Sequence, residues 1–427
     1  MDVDPIVLSI PIYFILIAVE LIIQLVQKRK LYRLNDAITN ISCGITQQIT
    51  NLFFKIGAVA AYQLVYENLG LFHIPVTWYT IAILFVLVDL CYYWAHRKSH
   101  EVNLFWGGHV VHHQSEDYNF SVALRQGSFQ ILWTFMFYLP LAIFGFDTLT
   151  FVTVSAFVTL YQFWIHTETI GKLGWLEYVF NTPSHHRVHH GRDPKYIDKN
   201  HAGVFIVWDR LFGTFQKEEE RPTYGVTQAV NSWNPVWVNV KHYGYMWGLL
   251  RQSPKWQDKL NIVFNKPGWQ PEHLGGYLTP QEVDKRNYQK YDMQGMASAN
   301  MYVLFQFVVA LAGTALFLFN AVNFTLLEMM FSSLLIICTL VSLGALLENS
   351  PSAVPLEIMR MGCVVVALLY FTDHSILYGA TLGFCVLYFF VSILWIFSFK
   401  PQNQKRTVAD TVLSAKQMGT YSERRSV

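Results

Sequence analysis

Tyr92-Tyr93-Trp94-Ala95-His96-Arg97-Lys98-Ser99-His100 closes an apolar segment, and His109-Val110-Val111-His112-His113 follows closely. A third motif, His185-His186-Arg187-Val188-His189-His190, repeats the His-x2-His-His spacing in its last five residues. On a helix, residues three and four apart share one face, with Cβ atoms roughly 5–6 Å apart. Each motif can therefore present two or three imidazoles to one metal ion, and imidazole is a suitable ligand for Fe, Zn, Cu and Ni.

One further histidine, His166, stands alone at the end of a later apolar segment. Between His113 and His166 lie 52 residues, enough for two membrane spans and a short turn, so the chain can return to the face that it left. The eight histidines of the three motifs and His166 are together more than one ion can bind, and we expect two metal ions. The predicted ligands are His96, His100, His109, His112, His113, His166, His186, His189 and His190.

The composition indicates a membrane protein. Of 427 residues, 53% are hydrophobic and 14% are charged, whereas soluble proteins have roughly 25% charged residues. Lys and Arg number 31 against 29 Asp and Glu, so the charge balance offers no electrostatic case for binding nucleic acid. The five cysteines are scattered without a Cys-x2-Cys pair, and we expect neither a disulfide framework nor a cysteine-type zinc site.

Apolar segments of about 20 residues are long enough to cross a bilayer. We predict an all-α, polytopic integral membrane protein with about nine transmembrane helices and a cytosolic helical cap that holds the two metal ions. The candidate spans are residues 6–26, 52–66, 78–95, 128–146, 148–165, 299–321, 324–347, 355–372 and 375–399.

Basic residues predict the sidedness of these spans. Four Lys and Arg residues between positions 28 and 33 follow the first span, and the short loops near 67–77, 146–147, 322–323 and 373–374 contain none. Because basic residues favour the cytosolic side, the N-terminus should face away from the cytosol. Residues 96–127, residues 166–298 and the tail should then lie in the cytosol.

The same features divide the chain into five regions. We expect N-terminal membrane spans in residues 1–74, a catalytic core with the three histidine motifs in 75–215, a cytosolic linker or cap in 216–298, a four-span membrane region in 299–399 and a cytosolic tail in 400–427.

Two acidic residues are candidates for catalytic roles. Asp89 lies two helical turns before His96 inside an apolar span, where a carboxylate normally has a partner. It can hydrogen-bond a ligand histidine or join two helices. Glu101 can be a ligand, a proton relay or a solvated acid. Because position 104 is Leu, His100-Glu101 does not begin a His-Glu-x-x-His motif, which excludes a zinc protease of that type.

Three residues are candidates for binding a cofactor. Arg125 follows the second histidine motif and can hold a phosphate, a pterin or a carboxylate, or else extend to the membrane surface. Tyr118 and Trp208 can line a cofactor site or a tunnel for a lipid chain. The remaining histidines lack the spacing of the three motifs, and we expect them to be structural or exposed: His73, His201, His242, His273 and His374.

The histidine spacings resemble those of the fatty acid hydroxylase/sterol desaturase superfamily, as do residues 200–203 and Trp208-Asp209-Arg210-Leu211-Phe212-Gly213-Thr214-Phe215. The segments Glu116–Asn119, Ala123–Gln126, Tyr161–Glu168 and Asn181–Ser184 resemble more narrowly the ether-lipid monooxygenases of that superfamily. The strong resemblance covers about residues 75–215.

The resemblance implies a non-haem di-iron monooxygenase of the endoplasmic reticulum membrane, with its active site facing the cytosol. It implies O2 as co-substrate and tetrahydrobiopterin as cofactor. The implied reaction cleaves the O-alkyl ether bond of 1-O-alkylglycerols and lyso-ether lipids to a fatty aldehyde and a glycerol derivative. The expected partners are the ether lipid, the bilayer and an external reductant or pterin-recycling system.

Two alternatives stay open. A sterol oxidase, desaturase or fatty acid hydroxylase of the same superfamily would share the ligands but depend on cytochrome b5. The chain has no His-Pro-Gly-Gly sequence of a fused cytochrome b5 domain, so reducing equivalents must come from elsewhere. A metal transporter or sensor would instead carry charged residues inside several spans, and few are present.

Overall fold

The computed structural model describes residues 5–293, 297–372 and 378–398. Within these residues all regular structure is helical, and two isolated β-bridges are the sole strand-type pairings. The all-α prediction is therefore confirmed. The predicted loop at 373–374 and the predicted tail at 400–427 lie outside the described residues.

The first half of the chain carries all the predicted ligands, seven of them on helices and two, His166 and His190, just after helix ends. Its helices are α1 (Pro5–Gln27), α2 (Leu34–Leu69), α3 (Trp78–Glu101), α4 (Asn103–His113), α5 (Phe120–Ala123), α6 (Ile131–Thr134), α7 (Leu139–Phe144), α8 (Thr148–Tyr161), α9 (Pro183–His189) and α10 (Val207–Leu211), with 3-10 turns at Phe135–Tyr138 and Gly174–Tyr178.

The second half adds a helical hairpin and four long helices. They are α11 (Pro235–Gln252), α12 (Trp256–Phe264), α13 (Ala297–Asn320), α14 (Leu326–Leu347), α15 (Ala353–Thr372) and α16 (Tyr378–Phe397), with 3-10 turns at Glu272–Leu274 and Ala321–Asn323.

Five helical segments are long and apolar enough to cross a membrane: Leu8–Gln27, Trp78–Glu101, Ser298–Asn323, Leu326–Leu347 and Ala353–Phe371. Three further predicted spans are shorter apolar helices, namely Ile131–Phe144, Thr148–Tyr161 and Leu382–Phe397. The predicted span at 52–66 lies in the C-terminal half of α2, a helix of 36 residues with mixed composition. The structure thus supports a multi-pass membrane protein with five candidate spans.

The predicted span at 128–146 differs from a regular helix for local reasons. Its helical part begins at Ile131, passes through a 3-10 turn and ends at Gly145, which has φ of 100°. A Cβ atom at Gly145 would lie 1.9 Å from the carbonyl oxygen of Phe72, so the turn requires glycine. The resulting helix is shorter than the roughly 20 residues that cross a bilayer.

Two loops meet near the start of α3, whose C-terminal end carries His96 and His100. The amide of Leu71 donates to the carbonyl of Ile143 at 2.8 Å, and the amide of Ile74 donates to Gly145. The hydroxyl of Tyr62 also donates to the carbonyl of Phe146. The loops near 67–77 and 146–147, predicted to share one side of the membrane, therefore lie together.

Helices α13 to α16 pack against one another in chain order, and α13 and α14 also contact α2. A buried ion pair lies inside this bundle, with Arg360 Nη2 at 2.5 Å from Glu357 Oε1. Polar side chains from three other helices complete the network around this pair: Tyr302, Gln306, Ser342 and Tyr388. The composition of the spans did not suggest so connected a set of buried polar groups.

Candidate metal centre

The structure brings all nine predicted ligand histidines into two groups. Within each group, one ring nitrogen of every member lies within 4.8 Å of those of the others. We call them cluster A and cluster B, and all their members are buried. Cluster A consists of His96, His100, His109, His113 and His189, and cluster B consists of His112, His166, His186 and His190.

The two clusters do not correspond to the sequence motifs one to one. His109 and His113 stay together in cluster A, whereas His112 between them turns to cluster B. His186 and His190 likewise share cluster B, while His189 joins cluster A. Residues i and i+4 are about 40° apart around a helix of 3.6 residues per turn, and residue i+3 lies on the other side of residue i. The expectation that each His-x2-His-His motif serves one ion is therefore corrected: each motif contributes to both.

Backbone carbonyls orient the imidazoles. His112 Nδ1 lies 2.8 Å from the carbonyl oxygen of Arg125, and His166 Nδ1 lies 2.7 Å from that of Gln162. His96 Nδ1 and His189 Nδ1 make the same kind of contact. Because a carbonyl can only accept, each Nδ1 carries the proton and each Nε2 presents a lone pair. This is the arrangement that holds metal-binding histidines in place.

The Nε2 atoms point at one another. His112 Nε2 and His166 Nε2 are 3.2 Å apart, and His166 Nε2 and His186 Nε2 are 3.0 Å apart. Since His112 and His166 both carry their proton on Nδ1, two lone pairs face each other across this gap, which is unfavourable unless a cation lies nearby. In cluster A, the buried Nε2 atoms of His100 and His189 have no hydrogen-bond partner within the described residues. The donor set therefore fits metal ions bound by neutral imidazoles.

Burial keeps these imidazoles neutral. It lowers the pKa of His112 to about 4. Burial, and then the neighbouring imidazoles, lower the pKa of His113, His186 and His190 well below the usual histidine range. Metal ions bind the deprotonated ring, so at neutral pH the side chains are in the form that a metal requires.

The structure places the two acidic candidates away from the imidazoles. The Asp89 carboxylate accepts hydrogen bonds from the amides of Val204 and Phe205 and from the indole of Trp208, at 2.7–2.9 Å. These contacts occupy it because the two buried amides need an acceptor. Of the two roles considered for Asp89, a hydrogen bond accepted from a ligand histidine is not formed within the described residues. Glu101 pairs with Arg97 and Lys98 outside both clusters.

The three cofactor candidates have internal partners. Arg125 is 2% exposed, so it does not extend to the membrane surface, and its guanidinium donates to Asn40, Val111 and Gln114. The hydroxyl of Tyr118 donates to the carbonyl of Ile165, and its ring centroid lies 5.3 Å from that of His190. Trp208 contacts Asp89.

Sequence reasoning missed two residues beside cluster A. His201, expected to be structural or exposed, is buried, and its ring centroid lies 5.0 Å from that of His100. Its carbonyl oxygen accepts from His96 Nδ1 at 2.7 Å. Asp198 Oδ1 lies 3.5 Å from His100 Nδ1. A signal was available, because residues 200–203 belong to the segment that resembles the superfamily.

A cavity of about 1120 Å³ begins at the clusters and continues between α2 and α13. His109, His112 and His166 are among the residues that line it. Its walls also include apolar side chains of α2 and α13: Leu52, Ile56, Val59, Ala60, Leu311, Ala315 and Leu318. The predicted ligands are therefore accessible from a long and largely apolar space.

Comparison with known proteins gives consistent matches. A family model described as fatty acid hydroxylase matches residues 81–214. The chain is 39% identical over 373 residues to the alkylglycerol monooxygenase of Homo sapiens, covering 85% of this chain and 82% of the relative. It is 38% identical over 371 residues to that of Xenopus tropicalis, covering 85% and 81%. No solved structure matches. The chain therefore belongs to the alkylglycerol monooxygenase family and contains a fatty acid hydroxylase domain.

Proposed function

We propose that this protein is a membrane-bound di-iron monooxygenase that cleaves the O-alkyl ether bond of 1-O-alkylglycerols and lyso-ether lipids. The observation that carries the proposal is the pair of buried histidine clusters, three of whose members line a long, largely apolar cavity. The relatives named alkylglycerol monooxygenase support the substrate class.

The proposed reaction inserts one atom of O2 into a C–H bond of the alkyl carbon next to the ether oxygen. The other oxygen atom leaves as water, and tetrahydrobiopterin supplies two electrons and two protons. The resulting hemiacetal breaks its C–O bond to give a fatty aldehyde and a glycerol derivative. Two iron ions held by clusters A and B would supply the activation of O2.

The protein residues contribute orientation and exclusion of water. The carbonyl groups of Arg125, Gln162, Lys199 and His201 hold four of the imidazoles with Nε2 toward the clusters. Burial of all nine rings keeps bulk water away from the reacting carbon. The alkyl chain would lie along the apolar part of the cavity, so the ether oxygen would come to the end where His109, His112 and His166 lie.

We also propose the endoplasmic reticulum membrane as the location, with the clusters on the cytosolic side. The basic residues near the first span support this orientation. Imidazole ligands suit several metals, so iron is proposed from family membership together with the oxygen chemistry.

The test is product formation by the purified protein from a 1-O-alkylglycerol, with and without tetrahydrobiopterin, together with metal analysis. Fatty aldehyde that depends on pterin, with about two irons per chain, is the expected result. A folded, iron-loaded protein that leaves the ether intact but oxidises sterols or acyl chains with cytochrome b5 would contradict the proposal. Protein purified with zinc would be reconstituted with iron before the comparison.

A further inference from the structure

Carboxamide side chains are concentrated along the cavity that leads to the clusters. Seven of them line it: Gln47, Gln48, Asn51, Gln63, Gln126, Gln130 and Gln162. A polar group in an apolar space is costly unless it forms hydrogen bonds. Several carboxamides in one largely apolar cavity therefore indicate a ligand with polar groups of its own.

Close backbone contacts place part of α2 beside the clusters. A Cβ atom at Gly44 would lie 2.3 Å from the carbonyl oxygen of Leu124. Ten residues later, the ring of Phe54 lies 6.4 Å from that of Phe129. The stretch of α2 between these contacts, which carries Gln47, Gln48 and Asn51, therefore runs alongside residues 124–129.

Residues 124–130 in turn lie directly against the helix that carries the second histidine motif. A Cβ atom at Gly127 would lie 1.8 Å from the carbonyl oxygen of Gly108, so this approach requires glycine. Gln130 Oε1 lies 3.2 Å from His109 Nδ1. Residues 124–130 thus contact both α2 and the helix of the second motif, and the α2 carboxamides line the same cavity as His109, His112 and His166.

The α2 carboxamides have unused hydrogen-bonding capacity. Asn51 Oδ1 is buried and has no hydrogen-bond partner within the described residues. Gln48 Nε2 donates to Gln47 Oε1 at 3.1 Å, which joins these two side chains into one surface. A carboxamide both donates and accepts, as does a hydroxyl group, so this surface suits a ligand with neighbouring hydroxyls, and Lys55, one turn beyond Asn51, lines the same cavity.

We propose that Gln47, Gln48 and Asn51 bind the free hydroxyl groups of the glycerol head group and thereby determine substrate specificity. This inference rests on the proposed function. From Asn51 to Gln63, the cavity-lining face of α2 extends about 18 Å. Lipid alkyl chains fill one leaflet of a bilayer, whose hydrocarbon thickness is about 15 Å. The part of the cavity along this face of α2 is therefore long enough for one alkyl chain.

The test measures binding without turnover. Wild-type protein, Asn51→Leu and Gln48→Leu are titrated anaerobically, without pterin, with 1-O-hexadecylglycerol and with 2-hexadecyloxyethanol, which lacks one hydroxyl. We expect the wild type to bind the glycerol ether about tenfold more tightly. Each variant should lose this preference because its binding of the glycerol ether weakens. Its affinity for 2-hexadecyloxyethanol should change less than about twofold.

Asn68→Leu is the matched control, because Asn68 is exposed on the same helix outside the cavity, and it should keep the wild-type preference. Removing the unpaired Asn51 Oδ1 should not lower the melting temperature, since an unsatisfied buried acceptor is itself unfavourable. Equal binding of the two ligands by wild type, or an unchanged preference in both cavity variants, would overturn the proposal. Wild type that prefers the glycerol ether but does not cleave it with O2 and pterin would instead contradict the proposed function.

Discussion

The proton on each imidazole is the smallest feature on which the site depends. In four of the nine histidines a carbonyl group at Nδ1 fixes the tautomer, and the tautomer directs the lone pair of Nε2 into a cluster. Spacing in the sequence, with His166 added, singled out the nine histidines that the structure groups into the two clusters. Spacing also places residues i+3 and i+4 of a motif on different sides of residue i, but it could not predict that a different cluster lies on each side.

The clusters differ in size, which predicts unequal tolerance to substitution. His166→Ala leaves three histidines in cluster B, whereas His100→Ala leaves four in cluster A. We expect His166→Ala to lose about one metal ion per chain and all turnover. His100→Ala should retain more metal than His166→Ala. Metal analysis of the purified variants measures the difference.

The control is His273→Ala, because His273 is exposed in a surface 3-10 turn. Full metal content and activity are expected for it. An inactive His273→Ala, or a His166→Ala protein that still holds two ions, would mean that the ligand assignment is wrong.

Asp89 acts through the loop that follows the third motif rather than on a histidine directly. It accepts from the amides of Val204 and Phe205, and the carbonyl of nearby His201 accepts from His96 Nδ1. Asp89→Asn replaces one acceptor oxygen by an NH2 group that faces these donors. Hydrogen bonds to a charged group contribute about 1.5–3 kcal/mol, and we expect a loss of stability in that range.

Thermal unfolding and metal titration of Asp89→Asn separate two possible effects. Lower stability is expected because the loop loses its acceptor. Metal affinity should fall roughly 10–100-fold if the loop carbonyl orients His96. Unchanged metal affinity in a destabilised protein would restrict Asp89 to packing of the loop.

At the scale of elements, α9 is held by a contact outside the histidine motifs. Arg187 donates to both carboxylate oxygens of Glu218, each at 2.7 Å, and Ser184 also donates to Glu218. Glu218 lies in the region predicted as a linker or cap, so the sequence did not connect it with the third motif. Burial raises the pKa of Glu218, but the hydrogen bonds from Arg187 and Ser184 outweigh it and leave the pKa below the usual range.

Glu218→Ala should therefore loosen α9. Arg187 and Glu218 are both about nine-tenths buried, and removing one member of such a pair costs about 3–5 kcal/mol. Because the pKa of Glu218 is depressed, the stabilisation is present at neutral pH and lost as the pH falls below about 4. Thermal melts of wild type and variant across pH measure this difference. Glu219→Ala, at an exposed neighbouring position, should melt like wild type.

The α13 helix forms part of the cavity wall. The C-terminal bundle thus helps to enclose the cavity, a role that the sequence did not suggest. Ala315 lines the cavity, whereas Leu316 is exposed on the outer face of the helix. Ala315→Trp should fill part of the space for the alkyl chain. We expect the ratio of kcat/KM for long to short alkyl chains to fall about tenfold or more.

Leu316→Trp introduces the same side chain one residue away on the outer face, and its chain-length profile should match the wild type. A uniform loss of activity at all chain lengths in Ala315→Trp would indicate damage to the fold. An unchanged profile would mean that the chain does not reach α13.

The whole molecule combines what a linear pattern can and cannot show. Apolar length correctly predicted helical structure in the candidate spans as far as the structure describes them, including the four after residue 297. It could not show that α2 is one long helix, because its polar residues face the cavity rather than lipid. Nor could it show the break at Gly145, which depends on contact with Phe72. His201 and Asp198 were missed because their positions depend on the folded loop after the third motif.

The relative placement of the two ends of the core leads to a test of sidedness. The loop at residues 70–77 and the turn after α7 bond to each other, whereas the C-terminal end of α3 carries His96 and His100. If the clusters face the cytosol, Phe72 lies on the opposite side of the membrane. Lys172 follows His166 closely and should lie on the cytosolic side. Both residues are exposed.

We expect Lys172→Cys in sealed microsomes to react with a membrane-impermeant maleimide without detergent. Phe72→Cys should react only after permeabilisation, because its loop would then face the lumen. Labelling of the wild-type protein, whose five native cysteines supply the background, is subtracted from both. The reverse pattern would place the clusters in the lumen. Immediate labelling of both positions would mean that α3 and α8 do not separate the two loops by a membrane.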